Sequence, residues 1–270
     1  MDYVISDNDF ALFSKLVYDK TGINLHFGKK QLLQSRVNKV LRKRGISSYR
    51  AYYEIVKKDS SGEELIEFIN LISTNVTHFF REIKHFEFLK HTWFPEFNFN
   101  NSKSVKVWSA ACSSGEEPYS LAITMKELLR NNYDFQVYAT DISTKVLKMA
   151  QRAIYPIGFL DKINNELVKK YFFEGKNSAN GYVKLKDEIK KQVVFEKLNL
   201  IEPFKVPYKF DIVFCRNVMI YFDLNIKELI INKFYDCMNK GAYLMIGHSE
   251  SLNGISHPFK YVMPAVYKKE

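Results

Sequence analysis

Two carboxylates stand directly behind a run of seven small residues in Val107 to Ala122, VWSAACSSGEEPYSLA, an arrangement suited to holding a positively charged ligand. Trp108 closes an apolar stretch that reads as a strand. Ser109 to Gly115 carry no bulky side chain, so the backbone can approach a ligand closely. Glu116, Glu117 and Pro118 then fall in a first helical turn, where acids suit the positive end of the helix dipole and a proline forfeits no intrahelical hydrogen bond. A helix start of this kind commonly binds phosphate, but here carboxylates already occupy it. With no GKS or GKT ending and no complete G-x-G-x-x-G, a cofactor bearing an amino or sulfonium charge fits better, and S-adenosylmethionine (SAM) is the common one. Taken alone, the segment is also what a strand-turn-helix that only packs looks like.

In parallel sheets ligands lie beyond the carboxyl ends of the strands, and polar residues stand at several such places. Asp141 follows Val137-Tyr138-Ala139-Thr140 at roughly the interval from Gly115 at which an acid meets ribose hydroxyls, although a strand-end Asp is also an ordinary helix cap. Asn199 follows Phe195 to Leu198, where an amide and neighbouring backbone can read an adenine edge; Arg216 and Asn217 follow Cys215, and Tyr221 lies one helical turn on. Thr74 to Glu82, TNVTHFFRE, sets Asn75, Thr77 and Arg81 among Val76, Phe79 and Phe80, either as polar site residues or as a capped helix start.

The elements that must position these residues fall into two regimes. Up to about residue 72 the periodicity is helical: Phe10 to Lys20, Lys30 to Arg44, Ser48 to Lys58 and Glu63 to Ile72, with breaks at Gly22, Gly45 and Ser60-Ser61-Gly62. An aromatic-rich helix is predicted over Phe79 to Phe94. From Val105 strands alternate with helices, which predicts an α/β fold with a mostly parallel sheet. Strands are expected at Val105 to Ala110, Gln136 to Asp141, Val193 to Asn199, Asp211 to Cys215, Ala242 to Gly247, Tyr261 to Met263 and Ala265 to Lys268. Helices are expected at Tyr119 to Asn131, Ser143 to Ala153 and Leu224 to Met238. Pro156 to Lys191 breaks the rhythm and reads as a small antiparallel β insert. The domains are therefore 1–72, all-α, and 73–270, α/β with the insert at about 156–191.

The 270 residues are 46% hydrophobic, which places the chain among globular proteins. No apolar run is long enough for a membrane span and the acidic start MDYVISDNDF is unlike a secretory signal, so a cytoplasmic location is expected. Cys112, Cys215 and Cys237 lack metal or redox spacing and read as reduced, buried thiols; no metal site is expected. The net charge of +10 favours an acidic partner. Lys29 to Arg50 holds eight basic residues and no acid; Leu33, Val37, Val40 and Leu41 form a buried stripe there, while Lys29, Arg36, Lys39 and Lys43 line another face. That face is a docking surface or simply a solvated one.

Four blocks in order, TNVTHFFRE, VWSAACSSGEEPYSLAI, YATDIS (Tyr138 to Ser143) and CRNVMIYF (Cys215 to Phe222), followed by GHSESL (Gly247 to Leu252), resemble the chemotaxis receptor methyltransferases of the CheR family. The resemblance implies a Rossmann-like, SAM-dependent methyltransferase that converts glutamate side chains of chemoreceptors to methyl esters, with S-adenosylhomocysteine (SAH) as coproduct. It places Asn75, Thr77, Arg81, Glu117, Asp141, Asn199, Leu200, Arg216 and Asn217 at the cofactor, with Glu116 as an alternative to Glu117. Arg81 and Tyr221 fall near the transferred methyl, and the basic helix Lys29 to Arg44 gains an acidic receptor surface as its partner. A glutamate of pKa about 4.3 is ionised at neutral pH, so no general base is needed and His78, His85, His91 and His248 are expected to pack or join polar networks. A monomer is expected, with no nucleic-acid partner and no membrane insertion. Two other readings stay open: a SAM enzyme with a different acceptor, and a non-catalytic SAM or receptor binder.

Overall fold

The computed structural model describes residues 3–72, 77–97, 99, 104–130, 132–161 and 163–270. It divides into two compact units, one made of residues 1–76 with Ile220–Lys227 and the other of Thr77–Met219 with Glu228–Glu270.

Among the described residues the first unit holds four α-helices, α1 (Asp7–Thr21), α2 (Lys30–Arg44), α3 (Tyr49–Lys58) and α4 (Glu63–Ile72). Local chemistry sets their ends. Ser6 and Ser48 accept the N–H groups of Asp9 and Ala51 as N-caps, while Gly22 (φ 71°) and Gly45 (φ 65°) terminate α1 and α2 in the left-handed region. The core stacks Phe13 on Phe68 at 4.8 Å and sets Tyr53 edge-on to Phe13 at 5.6 Å. Leu33, Val37 and Leu41 are buried as the spacing predicts, but Val40 is only half-buried. The fourth core-facing position is taken by Asn38, which bonds to the Tyr49 hydroxyl and the Tyr3 carbonyl. The segment after Met219 joins this unit through an Ile23–Phe222 bridge and the bond from the Asn24 N–H to the Tyr221 carbonyl, 2.8 Å.

In the second unit the predicted helix Phe79–Phe94 starts late. Phe80 and Glu82 have φ of 52° and 56°, which no right-handed helix accommodates, so Phe79–Glu82 is a turn. Helix follows as α5 (Lys84–Phe88), widens into a π-helical stretch at Leu89–Trp93 and closes as α6 (Phe94–Glu96). Pro95, which has no N–H to give the preceding turn, sits where the widening ends.

Among the described residues ten strands follow: β1 (Ser104–Ala110), β2 (Asp134–Asp141), β3 (Ile154–Pro156), β4 (Phe172–Glu174), β5 (Tyr182–Leu185), β6 (Val193–Lys197), β7 (Phe210–Cys215), β8 (Met238–Ile246), β9 (Lys260–Met263) and β10 (Val266–Lys268). Seven form one sheet in the order β6-β2-β1-β7-β8-β10-β9, parallel from β6 to β8 and antiparallel at β10 and β9. Strand order reverses between β1 and β7, the switch point at which open α/β sheets bind ligands. β7 is buried at every position, as expected of a strand covered on both faces. Helices α7 (Glu116–Leu129) and α8 (Thr144–Arg152) follow β1 and β2; α9 (Asn165–Tyr171) and α10 (Asp187–Lys190) belong to the insert, and α11 (Leu224–Cys237) precedes β8. The insert's own antiparallel sheet, β3-β5-β4, begins at Ile154, just ahead of the expected Pro156.

Trp108 anchors one sheet face among Phe210, Phe234 and Tyr138, with its indole N–H on Thr140 Oγ1 at 3.0 Å. Cys112 and Cys215 are buried free thiols, but Cys237, at the end of α11, is only half-buried.

Candidate functional site

The loop from β1 into α7 owes its shape to backbone as much as to small side chains. Ala111, Ser113 and Gly115 have φ of 65°, 50° and 101°. The Cys112 N–H bonds to the Thr140 carbonyl at 2.9 Å and the Ser113 N–H to Asp141 Oδ2 at 2.9 Å, tying the loop to the end of β2. A Cβ on Gly115 would lie 2.8 Å from both the Ala150 Cβ and the Tyr155 hydroxyl, so glycine is what lets α7 start against α8.

At the start of α7 the two acids part. Glu116 is fully buried and takes both its side-chain bonds from the Ser114 hydroxyl, 2.7 and 3.0 Å. Glu117 turns the other way: Oε1 accepts from Ser109 Oγ at 2.7 Å and Oε2 from Arg216 Nη1 at 3.2 Å. Arg216, with its side chain 1% exposed, also directs Nε and Nη2 to Glu82 Oε2 at 3.3 and 3.0 Å and gives Nη2 to the Arg81 carbonyl. Asn217 Nδ2 then reaches Glu82 Oε1 at 3.2 Å, and the His248 N–H reaches Glu82 Oε2 at 3.1 Å. The N–H groups of Asn217 and Gly247 converge on Glu250 Oε2 at 2.9 and 2.6 Å. One guanidinium at the end of β7 thus joins the turn before α5 and the start of α7 and, through Glu117 and Glu82, the ends of β1 and β8.

Among the described residues nine non-glycine positions have positive φ, and Phe80, Glu82, Ala111, Ser113 and Asn217 lie in these loops. Such conformations cost about 1–3 kcal/mol each, so they persist only where surrounding bonds over-determine them, as the Arg216 and Glu250 bonds do. Gly247 has no room for a side chain: its Cβ would meet Asn217 Nδ2 at 2.7 Å and Glu250 Oε2 at 2.8 Å.

Burial and the neighbouring charges shift the acids in different directions. Burial raises the carboxyl groups of Glu116, Glu117 and Asp141 above the ordinary range; for Glu117 the Arg216 charge and the Ser109 hydroxyl offset this only in part. Glu82 goes the other way. Burial alone would raise it, but Arg216, the Asn217 amide and His248 together outweigh burial and lower it. The buried His85 ring, with neither nitrogen hydrogen-bonded among the described residues, is lowered to about 3 by burial first and then by Arg216 and His248, so it is neutral.

The other predicted residues fall as follows. Asp141 spends Oδ2 on Ser113 and Oδ1 on the Ser143 N–H (2.9 Å), bracing the loop beside it. Asn199 closes a turn, accepting from the Ile201 N–H at 3.3 Å and donating to Glu202 Oε1 at 2.9 Å, with Leu200 buried next to it. Thr77 is half-buried, and Asn75 lies outside the described residues. Tyr221 belongs to the first unit, where the Lys29 ammonium sits 5.0 Å above its ring.

Comparison with known proteins adds a second line. Residues 75–267 match the model of the CheR methyltransferase SAM binding domain and residues 8–73 that of its all-alpha domain. The chain is 41% identical over 274 residues to a chemotaxis protein methyltransferase of Borreliella burgdorferi, covering 98% of this chain and 95% of that protein. It is 34% identical over 265 residues to the chemotaxis protein methyltransferase of Escherichia coli, covering 97% and 91%. The chain belongs to the CheR methyltransferase family. It is a SAM-dependent methyltransferase, and its reaction is transfer of a methyl group to glutamates of chemoreceptors. Among the described residues no helix is long and apolar enough to cross a membrane.

For this CheR-family protein the sequence reading missed Glu82, Ser109 and Glu250, although the first stands in TNVTHFFRE and the last in GHSESL. The available signal was an acid beside an arginine in an aromatic run, which is tolerated under burial only when paired. Donor atoms of Glu82, His85 and His248 lie within 4.8 Å of one another, a spacing a cation can use. Both Glu82 oxygens are already engaged, however, and a cation there would have to displace Arg216 from a buried ion pair.

Replacing Arg216 with Met strands Glu82 and Glu117 without their shared partner, so denaturant unfolding should show a loss of about 3–5 kcal/mol. Arg216→Lys should recover only a minor part of it, since one ammonium cannot reach Glu82, Glu117 and the Arg81 carbonyl together.

Proposed function

We propose that SAM contacts Asn75, Thr77, Arg81, Glu117, Asp141, Asn199, Leu200, Arg216 and Asn217, with its methionine ammonium facing Glu117, its ribose at Asp141 and its adenine at Asn199 and Leu200. The observation that carries this reading is the charge balance at the switch point. Glu82 and Glu117 share the one Arg216 guanidinium, while Asp141 and Glu250 are held by backbone N–H groups, which leaves the site short of positive charge. A phosphate would add to that imbalance, whereas an ammonium and a sulfonium relieve it. Glu117 rather than Glu116 is the cofactor acid in this reading, because Glu116 points away toward Ser114.

SAM, when bound, supplies an electrophilic methyl group on a positively charged sulfur. The chain's residues have to align the acceptor and keep water out, since water stabilises the separate charges of carboxylate and sulfonium more than the transition state in which they fade. Arg81 orients the acceptor carboxylate, and Tyr221, assigned on family resemblance, bounds the methyl. A grip by Arg81 that is too tight would stabilise the ground state, so its contribution is positional. The docking face is Lys39 and Lys43, exposed on α2 opposite buried Val37 and Leu41. Lys30 and Arg44 are paired with Asp7 and Glu64, and Arg36 donates to the Leu71 carbonyl, so these serve the helical unit itself. The protein works as a monomer in this proposal.

Incubating the protein with methyl-labelled SAM and receptor membranes should give label that base releases as methanol; base-stable label would point to another acceptor. Arg81→Ala should lower turnover roughly a hundredfold while SAM affinity falls far less, and equal losses would contradict its role. SAM affinity should weaken on acidification from above the ordinary carboxylate range, because burial raises Glu117 and its protonated form no longer attracts a cation. Glu117→Gln should bind SAM roughly tenfold more weakly at neutral pH and lose most of that pH dependence, as calorimetry across pH will show. Lys39→Glu with Lys43→Glu should slow receptor methylation while leaving SAM binding intact, and the defect should shrink at high salt.

A further inference from the structure

Lys233, on α11, lies outside every motif block of the sequence, yet its ammonium makes a concentrated set of contacts. Nζ donates to the carbonyls of Leu200, Ile201 and Glu202 at 3.2, 2.8 and 2.8 Å, using all three of its hydrogens. The same Nζ sits 5.4 Å above the ring of Phe204, which stands edge-on to Trp108 at 5.5 Å. Burial lowers the Lys233 pKa, the cost of placing an ammonium there.

Three successive carbonyls turned toward one cation fix three successive peptide planes. The plane before them is fixed as well, because the Asn199 carbonyl accepts from the Glu202 N–H at 3.2 Å. The Asn199 side chain is committed inside the same turn, to Ile201 and Glu202. The local sequence Asn199-Leu200-Ile201-Glu202 contributes the Asn199 side-chain turn but no glycine, and no proline before Pro203, to fix the three carbonyls that follow. The ammonium from a distant helix supplies what the turn lacks.

We infer that Lys233 is a positioning residue for the adenine end of the cofactor site: by gathering the carbonyls of residues 200–202 it holds the backbone at Asn199 and Leu200 in the form that receives the base. This rests on the proposed placement of adenine at Asn199 and Leu200. Lys233 touches neither cofactor nor substrate in this role, so its loss acts on binding and spares the methyl-transfer step.

The test uses the full chain with Lys233→Met, which keeps the aliphatic stem, and Lys233→Arg, which restores donors. Lys233→Met should raise KM for SAM and Kd for SAH and for 5′-methylthioadenosine roughly tenfold, with kcat at saturating SAM within about twofold of the parent and with Lys233→Arg recovering much of the affinity. Unchanged KM and Kd in a folded Lys233→Met protein, or a fall in kcat matching the rise in KM, would overturn the inference. Hydrogen exchange on the unmutated protein separates the two claims and does not depend on the variant folding. SAH should slow exchange at residues 199–202; absence of that protection removes the adenine placement itself, whereas protection together with an unaffected Lys233→Met protein removes only the role of Lys233.

Discussion

A single buried guanidinium shared between two acids is the constraint on which this site depends. Arg216 leaves the end of a strand that is buried throughout, so its head group has no path to bulk water and must be neutralised where it stands. Glu82 and Glu117 do this from opposite sides, one from an irregular turn and the other from the first turn of a helix. The bridge therefore also helps to fix the turn at residues 79–82, together with the bond from the Phe80 N–H to Ser120 Oγ at 2.9 Å. Glu250 repeats the device one strand over, drawing in the N–H groups of Asn217 and Gly247.

The price of this arrangement is buried negative charge. Glu116, Glu117 and Asp141 all carry carboxyl groups raised by burial, so each contributes stability that is present in acid and lost as pH rises through its folded pKa. A protein selected only for stability would neutralise such groups. In the proposed placement of the cofactor, Glu117 is the one a methyltransferase gains from keeping, because a cationic reacting end is best matched by an acid already fixed in place.

The helical unit follows a different logic. Basic residues of α2 are engaged in the fold, Lys30 with Asp7, Arg44 with both oxygens of Glu64 and Arg36 with a main-chain carbonyl, and Lys29 just ahead of the helix lies over the Tyr221 ring. Lys39 and Lys43 are left exposed on the face turned from the core. Composition registered eight cations as one patch; packing sorted them by which had an acceptor within reach. The aromatic run Phe79 to Phe94 shows the same limit of local reading. Its apolar spacing suggested one helix, but the polar contacts of Glu82 and Arg81 with Arg216, far along the chain, hold the first residues in a conformation that helix excludes.

What the chain's order of residues determined by itself was whatever depends on neighbours in sequence: the four N-terminal helices with their serine caps and glycine stops, the alternation that makes a parallel sheet, the small-residue loop after β1, and the motif blocks that identify a SAM-dependent methyltransferase. Periodicity and capping act within a few residues, so they are visible in a string of letters. Only the tertiary structure decided which of two adjacent glutamates faces Arg216, that Asp141 braces the loop beside it, that Glu82 and Glu250 bond to the strand-end loops, and that Lys233 reaches the carbonyls of residues 200–202. Those outcomes are fixed by ion pairs and hydrogen bonds that in most cases join segments tens of residues or more apart, and pairing at that range follows from where the sheet carries each strand end.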